Sequence, residues 1–237
     1  MTTPLAITFD WFGTLAEHRN GLGRGRQFHA YLSSKSLTAD PWDRRILYDL
    51  FDYYADAYQP SMSDIEKQSF WVEFTRRLFE KAQVNCAPDE IQVHGNAVGN
   101  IFGSSCFQLF LDVTPTLDRL KQQGMRLGLI SNWQRGLNLF CEELGVARYF
   151  DVILSSAEVK SEKPDPRIFQ EALARLDVSA ESALHVGDSV DEDVLGASSV
   201  GMRATLLDRG RLHSSVDVIK IHDLLELERV LTSGRKQ

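Results

Sequence analysis

The sequence is poor in cysteine and has no apolar stretch long enough to cross a membrane. Its three cysteines, Cys86, Cys106 and Cys141, lie far apart without a CxxC pair, which argues against a disulfide framework or a zinc site. No apolar run approaches the roughly 20 residues that a membrane-spanning helix needs. The first nine residues lack the charged region and small-residue cleavage site of a signal peptide, so we expect a cytoplasmic protein.

Positive charge is also scarce. The 237 residues contain 26 Lys and Arg against 33 Asp and Glu, a formal net charge of −7, and no basic tract offsets it. Nucleic-acid binding relies on clustered Lys and Arg, so we expect neither a nucleic acid nor a membrane as partner. Hydrophobic residues at 43% and charged residues at 25% are ordinary for a globular protein, and the chain is long enough to bury its own core.

Short apolar runs alternate with helical patterns at the start of the chain and after residue 112. The runs cover 5–9, 127–131, 152–156, 183–186, 204–207 and 216–221, and the helical patterns cover 116–123, 137–144, 166–176, 191–198 and 223–231. Near-continuous apolar strands joined by helices are typical of a parallel sheet covered on both faces. The sequence therefore predicts an α/β, doubly wound (Rossmann-like) core formed by residues 1–15 and 113–237.

Residues 16–112 show helical periodicity and no strand-like run. Residues 47–58 place their apolar side chains on one helical face, and a helix is expected to begin at Asp64. The segment predicts an all-helical cap domain inserted after the first strand. Candidates in it for facing a ligand are Trp42, Tyr53 and Phe70, and candidates for steering a phosphate are Arg24 and Arg26.

Polar residues follow the carboxyl ends of several predicted strands. They are Asp10 after the first run, Ser131 and Asn132 after the second, Lys163 in the loop after the third, and Gly187 with Asp188 after the fourth. In an open parallel sheet, ligands bind beyond these ends, where the strand order reverses. Each residue alone is typical of a turn or a helix cap. Together they predict a binding site at one edge of the sheet, because independent turn residues have no reason to line up.

Four segments around these residues carry a longer pattern. They are residues 9–15 (FDWFGTL), 130–132 (ISN), 163–169 (KPDPRIF) and 185–197 (HVGDSVDEDVLGA). In this order they resemble the haloacid dehalogenase-like (HAD) superfamily, in the branch with a helical cap inserted after the first strand. The resemblance covers the whole core, and the cap by position only. It implies a Mg²⁺-dependent hydrolase of a small phosphorylated metabolite, a phosphoric monoester hydrolase that forms an aspartyl phosphate.

The resemblance also implies a role for each residue at this edge. Asp10 is the implied nucleophile, and attack by its carboxylate divides one hard step into two. Mg²⁺ is implied to bind Asp10, the backbone carbonyl of Phe12 and Asp188, with Asp193 assisting from behind them. The implied catalytic set is Asp10, Ser131 and Lys163. The implied substrate-binding set is Gly13, Thr14, Ser131, Asn132 and Lys163, with Gly13 and Asn132 donating backbone N–H groups.

Phe12 departs from the phosphatase pattern. Hydrolytic phosphatases of the superfamily carry a second Asp at this position, which protonates the leaving alcohol and then activates water. A phenyl ring cannot transfer a proton, and the loss of such a group typically costs about 10² to 10⁴ in rate. Three readings stay open: weakened hydrolysis, hydrolysis helped by another group such as His18, and a non-catalytic relative that binds phosphate or a protein.

Two other branches of the superfamily lack that Asp. 2-Haloacid dehalogenases resemble residues 10–15, but they need no metal and replace the Gly-Asp pair found at 187–188. Phosphonoacetaldehyde hydrolases carry Asp-Trp-Ala-Gly-Thr, similar to residues 10–14, and need a lysine in the cap. The early cap offers Lys35, while Phe51 lies near the position where that lysine falls. Both activities stay as alternatives.

Overall fold

The structure is a computed structural model and describes residues 4–39, 44–213 and 217–232. The described residues fall into two units. The core unit comprises those within 1–17, 109–133 and 145–237, and the helical unit comprises those within 18–108 and 134–144. Each unit has its own buried centre.

A six-stranded sheet forms the centre of the core unit. Its strands are β1 (Ala6–Phe9), β4 (Arg126–Ser131), β5 (Val152–Ser155), β6 (Ala183–Gly187), β7 (Arg203–Leu207) and β8 (Lys220–Ile221), in the spatial order β5-β4-β1-β6-β7-β8. All neighbouring pairs are parallel. The strand order reverses at β1, between β4 and β6, as it does in doubly wound folds. The predicted α/β class is confirmed.

Helices cover the sheet. They are α5 (Val113–Gln122), α7 (Ser156–Val159), α8 (Pro166–Leu176), α9 (Gly196–Ser199) and α10 (Leu227–Thr232). Helix α8 shows why these segments become helical, since the Asp165 carboxylate caps its first turn by accepting the Arg167 N–H at 2.9 Å. Its apolar face, with Ile168 and Phe169 fully buried, packs on β4 and β5.

The helix predicted at 191–198 is wider than expected in its first part. Val190–Leu195 forms a π-helical turn, in which the Val194 N–H donates to the Ser189 carbonyl at 3.2 Å, and α9 follows it. The wide turn carries the Asp193 side chain inward, where its carboxylate is 1% exposed. Polar contacts of Asp193, which a hydrophobic period does not reveal, account for the difference.

Among the described residues, five helices and a cluster of aromatic rings form the helical unit. The helices are α1 (Arg24–Ser34), α2 (Arg44–Ala57), α3 (Asp64–Lys81), α4 (Ile91–Phe102) and α6 (Leu137–Glu143). Helix α3 begins at Asp64, as predicted, because Ser63 and Glu66 form a capping box. At the centre, the ring centroids of Phe51 and Phe74 lie 6.2 Å apart.

Three details differ from the sequence-based expectation. Residues 16–112 are not all helical, because β2 (Ala16–His18) and β3 (Phe107–Leu109) pair as a two-stranded sheet at the two ends of this segment. The strand expected at 216–221 contains only Lys220 and Ile221 among the described residues, and Val216 lies outside them. In the part of the chain that the structure describes, no helix is long and apolar enough to span a membrane.

Residues 134–144 were expected in the core and instead belong to the helical unit. They form α6, whose Phe140 ring lies 6.2 Å from Phe51 and 5.3 Å from Tyr54. The carboxylate of Glu143 accepts hydrogen bonds from Tyr58, from Lys67 at 3.1 Å and from Ser104 at 2.7 Å. The amphipathic pattern of α6 predicts a helix but not the unit against which its apolar face packs.

Candidate active site

Asp10 lies immediately after β1, at the point where the strand order reverses. Phe9 pairs with Leu129 on one side and Val186 on the other, which places the next residue between the ends of β4 and β6. The Asp10 residue is 6% exposed. Its Oδ1 accepts a hydrogen bond from Lys163 Nζ at 2.7 Å and another from Ser131 Oγ at 3.2 Å. The three predicted catalytic residues are therefore joined by hydrogen bonds, because Ser131 and Lys163 both donate to the carboxylate of Asp10.

Lys163 is a buried ammonium group shared by two carboxylates. It is 3% exposed, and its Nζ lies 2.7 Å from Asp10 Oδ1 and 2.6 Å from Asp193 Oδ1. Burial alone would lower the pKa of Lys163, but the charges of Asp10 and Asp193 outweigh it and raise that pKa above its ordinary value. Lys163 is therefore a fixed positive charge beside the candidate nucleophile.

Asn132 holds the backbone of Lys163 in place. Its Oδ1 accepts the Lys163 N–H at 2.7 Å, and its Nδ2 donates to the Lys163 carbonyl at 3.0 Å. The same amide donates to Glu192 Oε2 at 3.0 Å. Glu192 is exposed and lies in the π-helical turn Val190–Leu195. The Asn132 side chain thus holds the backbone of Lys163, which lies in the loop between α7 and α8.

Asp193 is held by donors on both of its oxygens. Oδ1 accepts from Lys163 at 2.6 Å and faces His185 Nε2 at 3.1 Å, while Oδ2 accepts the Ser189 N–H at 3.0 Å. Burial alone would raise the pKa of Asp193, but Lys163 and His185 lower it below its ordinary value. A Cβ on Gly187 would lie 2.1 Å from Asp193 Cγ, so only glycine leaves room for this carboxylate.

The carboxylates of Asp10, Asp188 and Asp193 form a cluster of the kind that binds a hard cation. One ligand atom from each lies within 4.8 Å of the others. Burial together with the charges of Asp10 and Asp193 raises the pKa of Asp188 to about 7. Lys163 pairs with two of these three carboxylates, so the cluster carries negative charge in excess when all three are ionised. An all-oxygen set with excess negative charge fits Mg²⁺, which favours carboxylate ligands.

Burial also raises the pKa of Asp10 above its ordinary value. The charge of Asp193 adds to this effect, and the ammonium of Lys163 opposes it without cancelling it. A cation among these carboxylates would act in the same direction as Lys163. It would favour the ionised form of Asp10.

The turn after Asp10 corrects two expected substrate contacts. The Gly13 N–H donates to the Ala16 carbonyl at 2.8 Å, so it serves the turn. The Thr14 side chain is fully buried, and its carbonyl accepts a hydrogen bond from Arg209 Nη2 at 2.9 Å. Thr14 therefore holds the turn in place through its buried side chain and its carbonyl. Phe12, in contrast, is 43% exposed at the same turn.

Arg209 and His185 are two residues of the site that sequence reasoning missed. Arg209 pairs with Asp112 through both guanidinium Nη atoms, at 2.8 and 2.9 Å, while it binds Thr14. His185 is fully buried between Thr8 and Asp193. Arg209 had no signal in the sequence, since it lies in a loop. His185 had one, because a histidine at the centre of an apolar strand needs polar partners.

The other candidates named from the sequence lie in the helical unit. The His18 ring stacks on Phe107 with centroids 4.7 Å apart. Lys35 is exposed directly after α1, and Phe51 is fully buried. Phe70 is 6% exposed and Tyr53 is half-buried, and their rings stack with centroids 5.3 Å apart inside the helical unit. Trp42 lies outside the described residues.

Arg24 differs from its expected role in steering phosphate. It is 8% exposed, and its guanidinium lies 4.8 Å from the ring centroid of Phe51 and 4.9 Å from that of Phe107. Such contacts stabilise a buried cation through the negative faces of the rings. Arg24 is part of the packing of the helical unit, whereas Arg26 is exposed on α1.

Comparison with known proteins supports the interpretation of the motifs. The family model described as a haloacid dehalogenase-like hydrolase matches residues 4–201. Haloacid dehalogenase-like hydrolase domain-containing protein 3 of Danio rerio is 32% identical over 145 residues, which are 61% of this chain and 60% of that protein. Glyceraldehyde 3-phosphate phosphatase of Methanothermobacter thermautotrophicus is 38% identical over 136 residues, 52% of this chain and 58% of that protein. The chain thus spans about three fifths of the length of these relatives.

The fold is also found in solved structures. A 2-haloacid dehalogenase from Pseudomonas syringae pv. Tomato superposes with a TM-score of 0.63 and 27% identity, covering 99% of this chain and 100% of that one. The family model covers more than half of the chain, and its match includes the loops that carry Asp10, Lys163 and Asp188. The chain belongs to the haloacid dehalogenase-like hydrolase family.

Proposed function

We propose that the protein is a Mg²⁺-dependent phosphatase that hydrolyses a small phosphorylated metabolite through an aspartyl phosphate on Asp10. The observation that carries the proposal is the shared ammonium of Lys163, which lies 2.7 Å from Asp10 and 2.6 Å from Asp193. A buried lysine between two carboxylates neutralises a nucleophile that would otherwise repel a phosphate dianion. Substrates of this size suit the relative named glyceraldehyde 3-phosphate phosphatase.

In the first step, an Asp10 carboxylate oxygen attacks phosphorus. The new O–P bond gives the aspartyl phosphate, and the bond between phosphorus and the leaving oxygen breaks with both electrons going to that oxygen. Lys163 offsets the charge that develops on the phosphoryl oxygens, and the Ser131 hydroxyl donates a hydrogen bond to one of them. The Asn132 side chain keeps Lys163 in place through its hydrogen bonds with the backbone carbonyl and N–H of Lys163.

We assign the metal to the cluster formed by the carboxylates of Asp10, Asp188 and Asp193. Asp10, the backbone carbonyl of Phe12 and Asp188 would hold Mg²⁺, and Asp193 would orient the group from the interior. When bound, Mg²⁺ shields the phosphate from the carboxylates. The fit rests on the oxygen-only donors, their spacing within 4.8 Å and the excess of negative charge among them.

Phe12 limits the leaving groups that the site accepts. The phenyl ring, 43% exposed at the turn after Asp10, has no proton to give to a departing alkoxide. Substrates whose leaving oxygen is already a weak base, such as aryl phosphates, need no such proton. In the second step, water attacks the phosphorus of the aspartyl phosphate and Asp10 is released. Without a base at position 12 we propose that this step is the slow one.

A second candidate is displacement of halide from a 2-haloacid. Two observations favour it: the 27% identity to a 2-haloacid dehalogenase, and Phe12, since halide leaves without a proton. In that reaction Asp10 would attack carbon, and an ester would be hydrolysed afterwards. The cluster of carboxylates formed by Asp10, Asp188 and Asp193 argues against the dehalogenase reaction, because that reaction has no phosphate charge for a cation to offset.

The deciding experiment incubates the protein with Mg²⁺ and p-nitrophenyl phosphate, and in parallel with L-2-chloropropionate. We expect Mg²⁺-dependent release of p-nitrophenol, with a burst near one equivalent followed by slower turnover. EDTA and the Asp10→Asn variant should both abolish release. Chloride release alone supports the dehalogenase. Silence on both, with a broad phosphate panel also negative, supports a non-catalytic phosphate- or protein-binding relative and contradicts the proposal.

A further inference from the structure

His185 connects the centre of the sheet to the lysine that faces Asp10. The residue lies on β6 and is fully buried. Its Nδ1 lies 2.8 Å from Thr8 Oγ1, and its Nε2 lies 3.1 Å from Asp193 Oδ1. Asp193 Oδ1 in turn accepts from Lys163 Nζ at 2.6 Å. A continuous chain of hydrogen bonds therefore runs from Thr8 through His185 and Asp193 to Lys163.

The partners of His185 determine which ring nitrogen carries a proton. Asp193 Oδ1 accepts from Lys163 Nζ at 2.6 Å and Oδ2 accepts the Ser189 N–H at 3.0 Å, so the carboxylate is the acceptor in its contacts. The contact at 3.1 Å therefore requires a proton on Nε2. The Thr8 hydroxyl lies 2.8 Å from Nδ1 and is the group placed to donate to that nitrogen when Nε2 carries the proton.

We infer that His185 is a positioning residue for the reaction at Asp10, an inference that rests on the proposed function. Lys163 lies between two carboxylates at nearly equal distances, 2.7 Å and 2.6 Å. If Asp193 turned, the ammonium would follow it or be left facing Asp10 alone. The N–H of His185 and the backbone N–H of Ser189 hold Asp193 from two sides. His185 thereby fixes the direction of the lysine charge without touching the substrate.

Packing is the competing explanation for a buried ring at this position. The His185 ring meets Phe169 edge to face, with centroids 5.2 Å apart and planes at 88°. A phenyl ring would preserve that contact and most of the volume, but it has no N–H for Asp193. A glutamine loses the ring, yet its amide nitrogen reaches approximately the position of Nε2 and can donate. The two explanations therefore rank the two substitutions in opposite order.

The first test compares His185→Gln with His185→Phe, using p-nitrophenyl phosphate and Mg²⁺. Loss of a residue that orients a group at a metal site typically costs 10- to 100-fold in activity, so we expect the Phe variant to fall at least about tenfold below the Gln variant in kcat with little change in KM. Thr8→Val should lower kcat by less, and Thr8→Ser should restore it. Equal kcat values, or a more active Phe variant, overturn the inference. Circular dichroism and thermal unfolding identify variants that do not fold, which are excluded from the ranking.

The second test does not depend on activity. Long-range ¹H–¹⁵N correlation spectra of the ¹⁵N-labelled wild-type protein report the protonation of each ring nitrogen, and His185→Gln assigns the signals. A proton on Nε2 supports the inference, and a bare Nε2 overturns it. If the wild-type protein turns over no phosphate ester, the proposed function fails while this measurement still decides the placement of the His185 proton.

Discussion

A methyl group on Gly13 would lie 2.1 Å from Oδ2 of Asp188. Gly13 also has a φ of +86°, in the left-handed region that suits glycine. The turn after Asp10 and the loop after β6 thus approach each other closely at the candidate metal site. That approach requires a residue without a side chain at position 13.

Substitution of Gly13 is expected to damage the site as well as the backbone. Gly13→Ala should cost about 1–3 kcal/mol of unfolding free energy from backbone strain, and it should also abolish Mg²⁺-dependent turnover by displacing Asp188. Gly124→Ala is the matched control, because Gly124 has a φ of +76° but no atom within 4 Å of a new Cβ. Urea unfolding and p-nitrophenyl phosphate assays measure both effects. Equal activity in the two variants would contradict the prediction.

Replacement of Phe12 by an acid should speed hydrolysis. Phe12→Asp places a carboxyl group two residues after the proposed nucleophile Asp10, and a well-positioned general acid–base contributes about 10² to 10⁴ in rate. The side chain is 43% exposed, so stability should change little. Phe12→Asn is the control, since an amide of the same shape transfers no proton. Steady-state rates and burst amplitudes are compared, and a gain shared by the Asn variant would show that proton transfer is not the cause.

Binding of Mg²⁺ should stabilise the protein through Asp188. A ligand that binds only the folded state at 100 times its Kd adds about 2.7 kcal/mol of stability, which appears as a higher Tm. Asp188→Asn should remove most of this gain, while the exposed Asp191→Asn should retain it. Differential scanning calorimetry with and without EDTA makes the comparison. A Tm that rises equally with Mg²⁺ in the Asp188→Asn variant would place the ion elsewhere.

The helical unit should lose stability in acid through Glu73. Hydrogen bonds from Arg76, at 2.7 and 2.8 Å, and from Arg77, at 2.8 Å, lower the pKa of Glu73 from 4.5 to about 2. Because the folded-state pKa is the lower one, this stabilisation is present above pH 4.5 and is lost as the pH falls toward 2. Exposed pairs of this kind contribute about 0.2–1 kcal/mol.

The measurement is the difference in unfolding free energy between the wild-type protein and Glu73→Gln at pH 6 and at pH 2.5. The difference should shrink on acidification. Glu80→Gln is the control, since Glu80 is 72% exposed on its side chain and makes a single 3.1 Å contact with Arg76. A difference that stays constant with pH would contradict the assignment.

The sequence predicts the sheet and the meeting of Asp10, Ser131, Lys163 and Asp188 because strand ends of a parallel sheet converge by topology. Spacing does not reveal the turn geometry after Asp10. Within that turn the Gly13 N–H donates to the Ala16 carbonyl, and the Thr14 carbonyl accepts a hydrogen bond from the distant Arg209. Long-range polar partners are equally hidden: Arg209 meets Thr14 across 195 positions and His185 meets Thr8 across 177.

Helix α6 has a consequence for dissecting this chain. Four of its residues, Leu137, Leu139, Phe140 and Cys141, are buried in a unit otherwise drawn from residues 18–108. Removing residues 18–108 would expose the apolar face of α6 to water and promote aggregation. A functional exchange of caps between relatives must therefore transplant two pieces of sequence, the long segment and residues 134–144.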